Sequence, residues 1–176
     1  MVCIYYICLY QCNYWFMHEW DNFFVAAAGA SAALTGLLFV GISINLARIL
    51  SLPRLPERAL LSLVLLLSAL VSSLLFLVPG QGDGLLGIEL LVLSLAVWVN
   101  LLRLEIVTLR NKEREYRRQY IMNMTINQAT TTLYVLQSLA LLGVLPGGRC
   151  WIVPAVLMSM LKSVLDGWVL LVEINR

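Results

Sequence analysis

The sequence predicts an all-α integral membrane protein: a compact bundle of about five transmembrane helices, with the N-terminus outside and the C-terminus cytoplasmic. Three observations carry this. Of 176 residues, 61% are hydrophobic and only 12% charged, against about 45–50% and about 25% in soluble domains. The apolar residues come in blocks long enough to cross a bilayer, which takes about 20 residues of helix. The cations gather in alternate connections between those blocks.

Residues 1–22 stand apart as an apolar N-terminal segment. Met1 to Phe16, MVCIYYICLYQCNYWF, is too short to span. It has no basic n-region and no small-residue cleavage site, so it is a poor signal peptide. Met17 opens a stretch that reads as a natural start, in which case Cys3, Cys8 and Cys12 are not translated. If they are present, they lie outside with Cys150, where disulfides are permitted. Their C-x4-C-x3-C spacing has no neighbouring cluster to complete a metal ligand set.

Residues 23–176 form a single helical-bundle domain. The first span runs from Phe23 to Ala47 and the second from Ala59 to Val78. The third runs from Leu85 to Val107, the fourth from Ile121 to Leu145 and the fifth from Trp151 to Val172. Backbone in hydrocarbon must satisfy its own hydrogen bonds, so these are helices. The unbroken Leu/Val/Ala runs lack the alternation of a β-barrel. Pro53 and Pro56 stop the first helix and suit the start of the second. Pro79-Gly-Gln-Gly-Asp-Gly84 and Pro146-Gly-Gly148 are turns on composition. Short connections make neighbouring helices antiparallel.

Arg48, Arg54 and Arg58 flank the first connection, and Arg103, Arg110, Lys112, Arg114, Arg117 and Arg118 flank the third. With five spans these share a side with Arg176, whereas Arg149 falls opposite, beside Asp83, Glu19 and Asp21. The positive-inside rule makes the basic side cytoplasmic. Trp20, Phe23, Phe24 and Trp151 belong to the outer aromatic belt, Tyr116 and Tyr120 to the inner one.

The first helix carries small residues at membrane-packing spacing: Ala28, Ala32 and Gly36, and Gly29, Ala33 and Gly41. Such a face lets another backbone approach closely, and serves either the bundle interior or self-association. The interior is the preferred reading. The segment FFVAAAGASAALTGLLFVGISINLARIL, Phe23 to Leu50, resembles the opening of a family of small, uncharacterised bacterial multi-pass membrane proteins. The likeness is strongest over the first helix and its Asn45 and Arg48 exit. Members of similar appearance are sometimes labelled modulators of a membrane-anchored AAA protease. The resemblance implies a bacterial inner membrane and supplies no catalytic residue.

Lys162 and Asp166 lie one turn apart in the fifth span. A central Lys or Asp costs about +2.5 to +3.5 kcal/mol, and Leu, Ile and Val return about −0.3 to −0.6 each. The eleven Leu, Ile and Val residues between Trp151 and Val172 only roughly offset the pair. The charges are therefore expected to face the interior. Lys162 is about 15 Å from either interface of a ~30 Å core, beyond the reach of its stem. Asp166, at i+4, is its expected partner.

On the fourth span Asn123, Asn127, Thr130, Thr131 and Tyr134 share a stripe. Counted from the helix midpoints, Gln128 and Asn100 fall near the level of Asp166. Glu89 lies a turn inside the outer end of the third span, and Arg103 and Glu105 near its inner end, as boundary charges or the mouths of a pathway. A proton or cation pathway would thus use Lys162, Asp166, Asn100, Gln128, Asn127 and Glu89; the competing reading is a structural ion pair.

Enzyme readings fare poorly. Gly80-Gln-Gly-Asp83 spells the G-x-G-D of intramembrane aspartyl proteases, which need a second aspartate at the same depth. Asp83 sits in an outer turn and Asp166 in the inner half. Ser31 falls short of G-x-S-x-G, the sole histidine, His18, is at the outer surface, and no phosphate-binding Gly-rich loop ends in Lys-Ser/Thr. Glu113 and Glu115 interrupt the basic run, which argues against nucleic acid. No metal site or cofactor is expected. The leading expectation is a membrane protein without catalytic activity that assembles with itself or with another membrane protein. The alternative is a proton or monovalent-cation transporter or channel subunit working through Lys162 and Asp166.

Overall fold

The computed structural model describes residues 16–51, 55–110 and 117–174, and every regular element among them is helical. Helix α1 spans Phe16–Ile44, the short α2 Leu46–Ser51, α3 Leu55–Phe76, α4 Asp83–Arg110 and α5 Arg117–Leu141; a 3-10 turn at Gly148–Trp151 leads into α6, Ile152–Ile174. Cys3, Cys8, Cys12, Arg54 and the basic stretch from Asn111 to Tyr116 lie outside the described residues, and with them the expectations placed there.

Each expected block overlaps one long helix, with shifted ends. The first helix turns at Asn45, whose side-chain amide donates to the Gly41 carbonyl at 3.1 Å. Pro56 falls in the first turn of α3, where its missing N–H is not needed. Helix α5 stops before Gly143, whose φ of +77° is one that glycine adopts without strain. Gly87 has a second use: a Cβ there would meet the Leu142 side chain at 3.0 Å, so its bareness lets α4 and the chain leaving α5 approach.

Four helical stretches are long and apolar enough to cross a membrane: Trp20–Ile44, Leu55–Phe76, Asp83–Val107 and Gly148–Val172. Helix α5 has the length, 25 residues, but is not among them. Its Asn, Gln and Thr residues lower its hydropathy.

The long helices alternate in direction. Phe24 of α1 stacks on Phe76 of α3, with ring centroids 4.4 Å apart and planes 6° apart. Arg149, before α6, meets Asp83 at the start of α4, Nη2 to Oδ1, at 2.5 Å. At the other end Ile49, Leu55, Ala59 and Leu170 form one apolar cluster. Helix α3 packs against α1 and α6, and α5 against α4 and α6, so α3 and α6 sit at the centre. The main apolar core lies towards the Asp83 end and includes Phe24, Ala69, Phe76, Leu86, Leu90, Ile152, Ala155 and Val156.

The small-residue interior falls on α3, which is a correction to the sequence reading. Ser62, Ser68, Ala69, Ser72 and Ser73 are all buried. On α1 only Ala28 of the expected set is buried; Gly41 is half-buried, and Gly29, Ala32, Ala33 and Gly36 are exposed. The cause is rotation. Phe24, Ala27, Ala28 and Ser31 form the buried side of α1, and at about 100° per residue Gly29 and Gly36 then point away.

Candidate functional site: a buried charge layer

The Arg58 end of the interior holds a layer of charged and amide side chains drawn from α3, α4, α5 and α6. Lys162 and Asp166 on α6 are 5% and 3% exposed. The Lys162 ammonium donates to Oδ2 of Asp166, one turn along. The other carboxylate oxygen of Asp166 faces Nε of Arg58 on α3 at 3.7 Å. Arg58 is half-buried and sits in the first turn of its helix, so the layer reaches from one end of the bundle to the middle of α6.

Glu105 completes the layer from α4 and is 1% exposed. Asn127 Nδ2 donates to its Oε1 at 2.9 Å, and Gln128 Nε2 to its Oε2 at 2.6 Å. The Tyr120 hydroxyl donates to its backbone carbonyl at 3.1 Å. Lys162 lies close enough to Glu105 for their charges to interact. The layer therefore sets two basic side chains, Arg58 and Lys162, against two carboxyl groups: Asp166 meets both, and Glu105 is held by the Asn127 and Gln128 amides. Buried charges are tolerated on those terms, when each is paired and hydrogen-bonded.

Hydroxyl groups continue the polar interior away from the layer. Ser163 donates to the Ser62 carbonyl at 3.0 Å and ties α6 to α3. The Tyr134 and Ser159 oxygens are 2.9 Å apart. Ser159 already donates to the Ala155 carbonyl, so Tyr134 is the donor between them. Thr130 and Thr131 donate to carbonyls of their own helix. Gln137 is buried, and neither of its amide atoms has a protein partner. It borders a small cavity of about 10 Å³ with Ser68, Ser72 and Ser94, about the space of one water.

Of the six pathway residues expected from sequence, the structure brings four together. Lys162, Asp166, Asn127 and Gln128 belong to the layer. Asn100 does not: it is exposed and donates to the Ala96 carbonyl of its own helix at 2.7 Å. Glu89 is exposed at the other end and accepts from Gln81 Nε2 at 2.6 Å. The place assigned to Asn100 belongs to Glu105, five residues on. Counting from helix midpoints estimates depth but not rotation, and five residues turn the helix by about 140° from where it started. A usable signal was present: Ser94 and Glu105 are eleven apart, about three whole turns, with the buried Leu101 on the same face. On α5 the expected stripe faces inward, with Asn127, Thr130, Thr131 and Tyr134 buried and Asn123 half-buried. Asp83 is at the opposite end from Asp166, as the depth argument against a protease pair required. Comparison with family models, with curated proteins and with solved structures returns no match.

Proposed function

We propose that the protein is a non-catalytic, five-span integral membrane protein of a bacterial inner membrane that assembles, with itself or with another membrane protein, through the outward face of α1. The observation carrying this reading is that face. Gly29, Ala32, Ala33 and Gly36 are exposed, and a Cβ at Gly29 or Gly36 would have nothing within 4 Å. Lipid tails are as apolar as leucine, so membrane helices associate by close packing, and small residues four apart permit it.

A fifth crossing by α5 is supported by its placement. Its 25 residues extend about 37 Å at 1.5 Å per residue, enough for a ~30 Å hydrocarbon core. Its low hydropathy comes largely from Asn127, Thr130, Thr131, Gln137 and Ser138, which face the bundle interior. The exposed hydroxyls of Thr125 and Thr132 donate to carbonyls of their own helix, so lipid does not leave those donors unmet. The arginines at the Arg58 end support a cytoplasmic placement of that end.

The test is the oligomeric state in native membranes. Wild type is expected to cross-link into a defined oligomer or hetero-complex. A Gly29→Leu, Gly36→Leu variant is expected to run as a monomer, with stability within about 0.5 kcal/mol of wild type. A wild-type protein that is monomeric and partnerless in its own membrane sinks the proposal.

A second reading, proton or monovalent-cation movement, is favoured by one detail. Asn127 Oδ1 and Gln128 Oε1, beside the Glu105 carboxylate, have no protein partner, and carbonyl oxygens can stand in for an ion's hydration shell. Proton and cation flux in liposomes decides it. Flux in wild type that vanishes in a Lys162→Leu, Asp166→Leu variant supports this reading; no flux in either removes it.

A further inference from the structure

A groove of about 290 Å³ runs between α1 and α6. It is separate from the outward face of α1 and from the charge layer. Leu34, Leu38 and Gly41 form one wall, Gly167 and Trp168 the other, and Leu66 of α3 the floor. Its polar groups are the Ser163 hydroxyl, whose proton is committed to the Ser62 carbonyl, and the indole N–H of Trp168 at the exposed rim. Bare backbone helps to form the hollow: a Cβ at Gly41 would have nothing within 4 Å, and one at Gly167 would approach only Leu38, at 3.3 Å.

The groove opens sideways. Leu37, Val164, Trp168 and Leu171 at its edge are exposed, on two helices apolar enough to cross a membrane. Its other end is charged. Ile49 and Leu170, which also border it, cluster with Leu55 and Ala59. Arg48 adjoins Ile49 in sequence and is exposed; Arg58 adjoins Ala59 and is half-buried, with its Nε turned to Asp166.

The geometry points to a binding site for one anionic phospholipid, an acyl chain lying in the groove and the phosphate held by Arg48. Two features select this occupant. The walls ask for an apolar guest without hydrogen-bonding groups. Among the described residues, the arginines adjoining the groove's lining cluster, Arg48 and Arg58, fall at its Ile49 end, which matches the polarity of a phospholipid. An exposed tryptophan on the rim is the side chain membranes place at headgroup level.

Native mass spectrometry of the full-length protein in mild detergent tests the site, with phosphatidylglycerol and phosphatidylcholine of equal chain length as probes. Wild type is expected to retain one phosphatidylglycerol in preference to phosphatidylcholine. Gly41→Leu sets its Cβ in open space and its side chain in the groove, and is expected to weaken binding of both lipids by about tenfold, roughly 1.4 kcal/mol. Arg48→Gln is expected to reduce the preference for the anionic lipid by about fivefold, the weight of one arginine at an anionic surface. Gly36→Leu, on the far side of α1, leaves lipid binding unchanged, which separates this site from the assembly face. Equal binding of the two lipids by wild type overturns the proposal, as does a folded Gly41→Leu protein that binds like wild type. A Gly41→Leu protein that keeps its lipid but loses its oligomer also overturns it, and places a second copy in the groove.

Discussion

The Arg58 end of the interior holds the layer of Arg58, Glu105, Asn127, Lys162 and Asp166 beside the small apolar cluster of Ile49, Leu55, Ala59 and Leu170, whereas the Asp83 end is built mainly from Phe24, Phe76, Leu86, Leu90, Ile152 and Val156. Both halves bury their side chains, but they do different work. In water, apolar burial would hold both together. In a bilayer it hardly distinguishes a neighbouring helix from lipid. The apolar half then contributes shape, which other side chains of similar volume can reproduce. The polar half contributes pairing: a carboxylate on α4 finds its donors only on α5, and Asp166 meets Arg58 only when α3 and α6 are in one register. On this comparison the charge layer determines which helices meet, and the apolar half fills the space around them.

The largest effect that tests this contrast is Asp166→Leu. It leaves the Lys162 ammonium buried without its acceptor, and breaking such a pair costs about 3–5 kcal/mol. The expected result is a large drop in the thermal midpoint of the detergent-solubilised protein. The Lys162→Leu, Asp166→Leu variant removes both charges and is expected to recover part of that loss, because the ammonium is no longer left buried without its acceptor. If the double variant is as unstable as the single one, the layer is not acting as paired charge.

Glu105→Leu comes next. It strands the Asn127 and Gln128 amide donors, at about 1–3 kcal/mol for groups left unsatisfied in the interior. Glu105→Gln keeps an acceptor and is expected to cost less. Denaturant titration of both variants checks the order, and the reverse order would mean that volume rather than pairing matters at this position. The smallest effect belongs to the apolar half. Leu90→Met conserves volume, and swaps of this kind cost under about 1.5 kcal/mol. A loss at Leu90 equal to that of Asp166→Leu would abolish the distinction between the two halves.

The legibility of these regions in the sequence differs for a physical reason. Lys162 and Asp166 were readable because both lie on one helix at i and i+4, a spacing that geometry alone brings together. The inward stripe of α5 was readable from its own period. Glu105 reads from the sequence as a boundary charge or a pathway mouth, because nothing local to α4 reveals that Asn127 and Gln128 approach it from another helix. The inner face of α3 does not stand out in the sequence, because scattered serines among leucines are less distinctive than the alanines and glycines of α1.

Length and hydropathy belong to the chain itself, so the sequence alone determined the all-helical class, the presence of helices long and apolar enough to cross a membrane, and the rough position of each long helix. Short turns also imposed the alternation of direction. Rotation about each helix axis was decided only by the tertiary structure. It turned the glycines of α1 outward and the serines of α3 inward, and it chose Glu105 over Asn100. In a soluble protein an apolar stripe marks the inner face of a helix. Helices α1, α3 and α4 are apolar on nearly every side, and that gradient is missing, so packing and charge pairing between neighbours decide which face turns in.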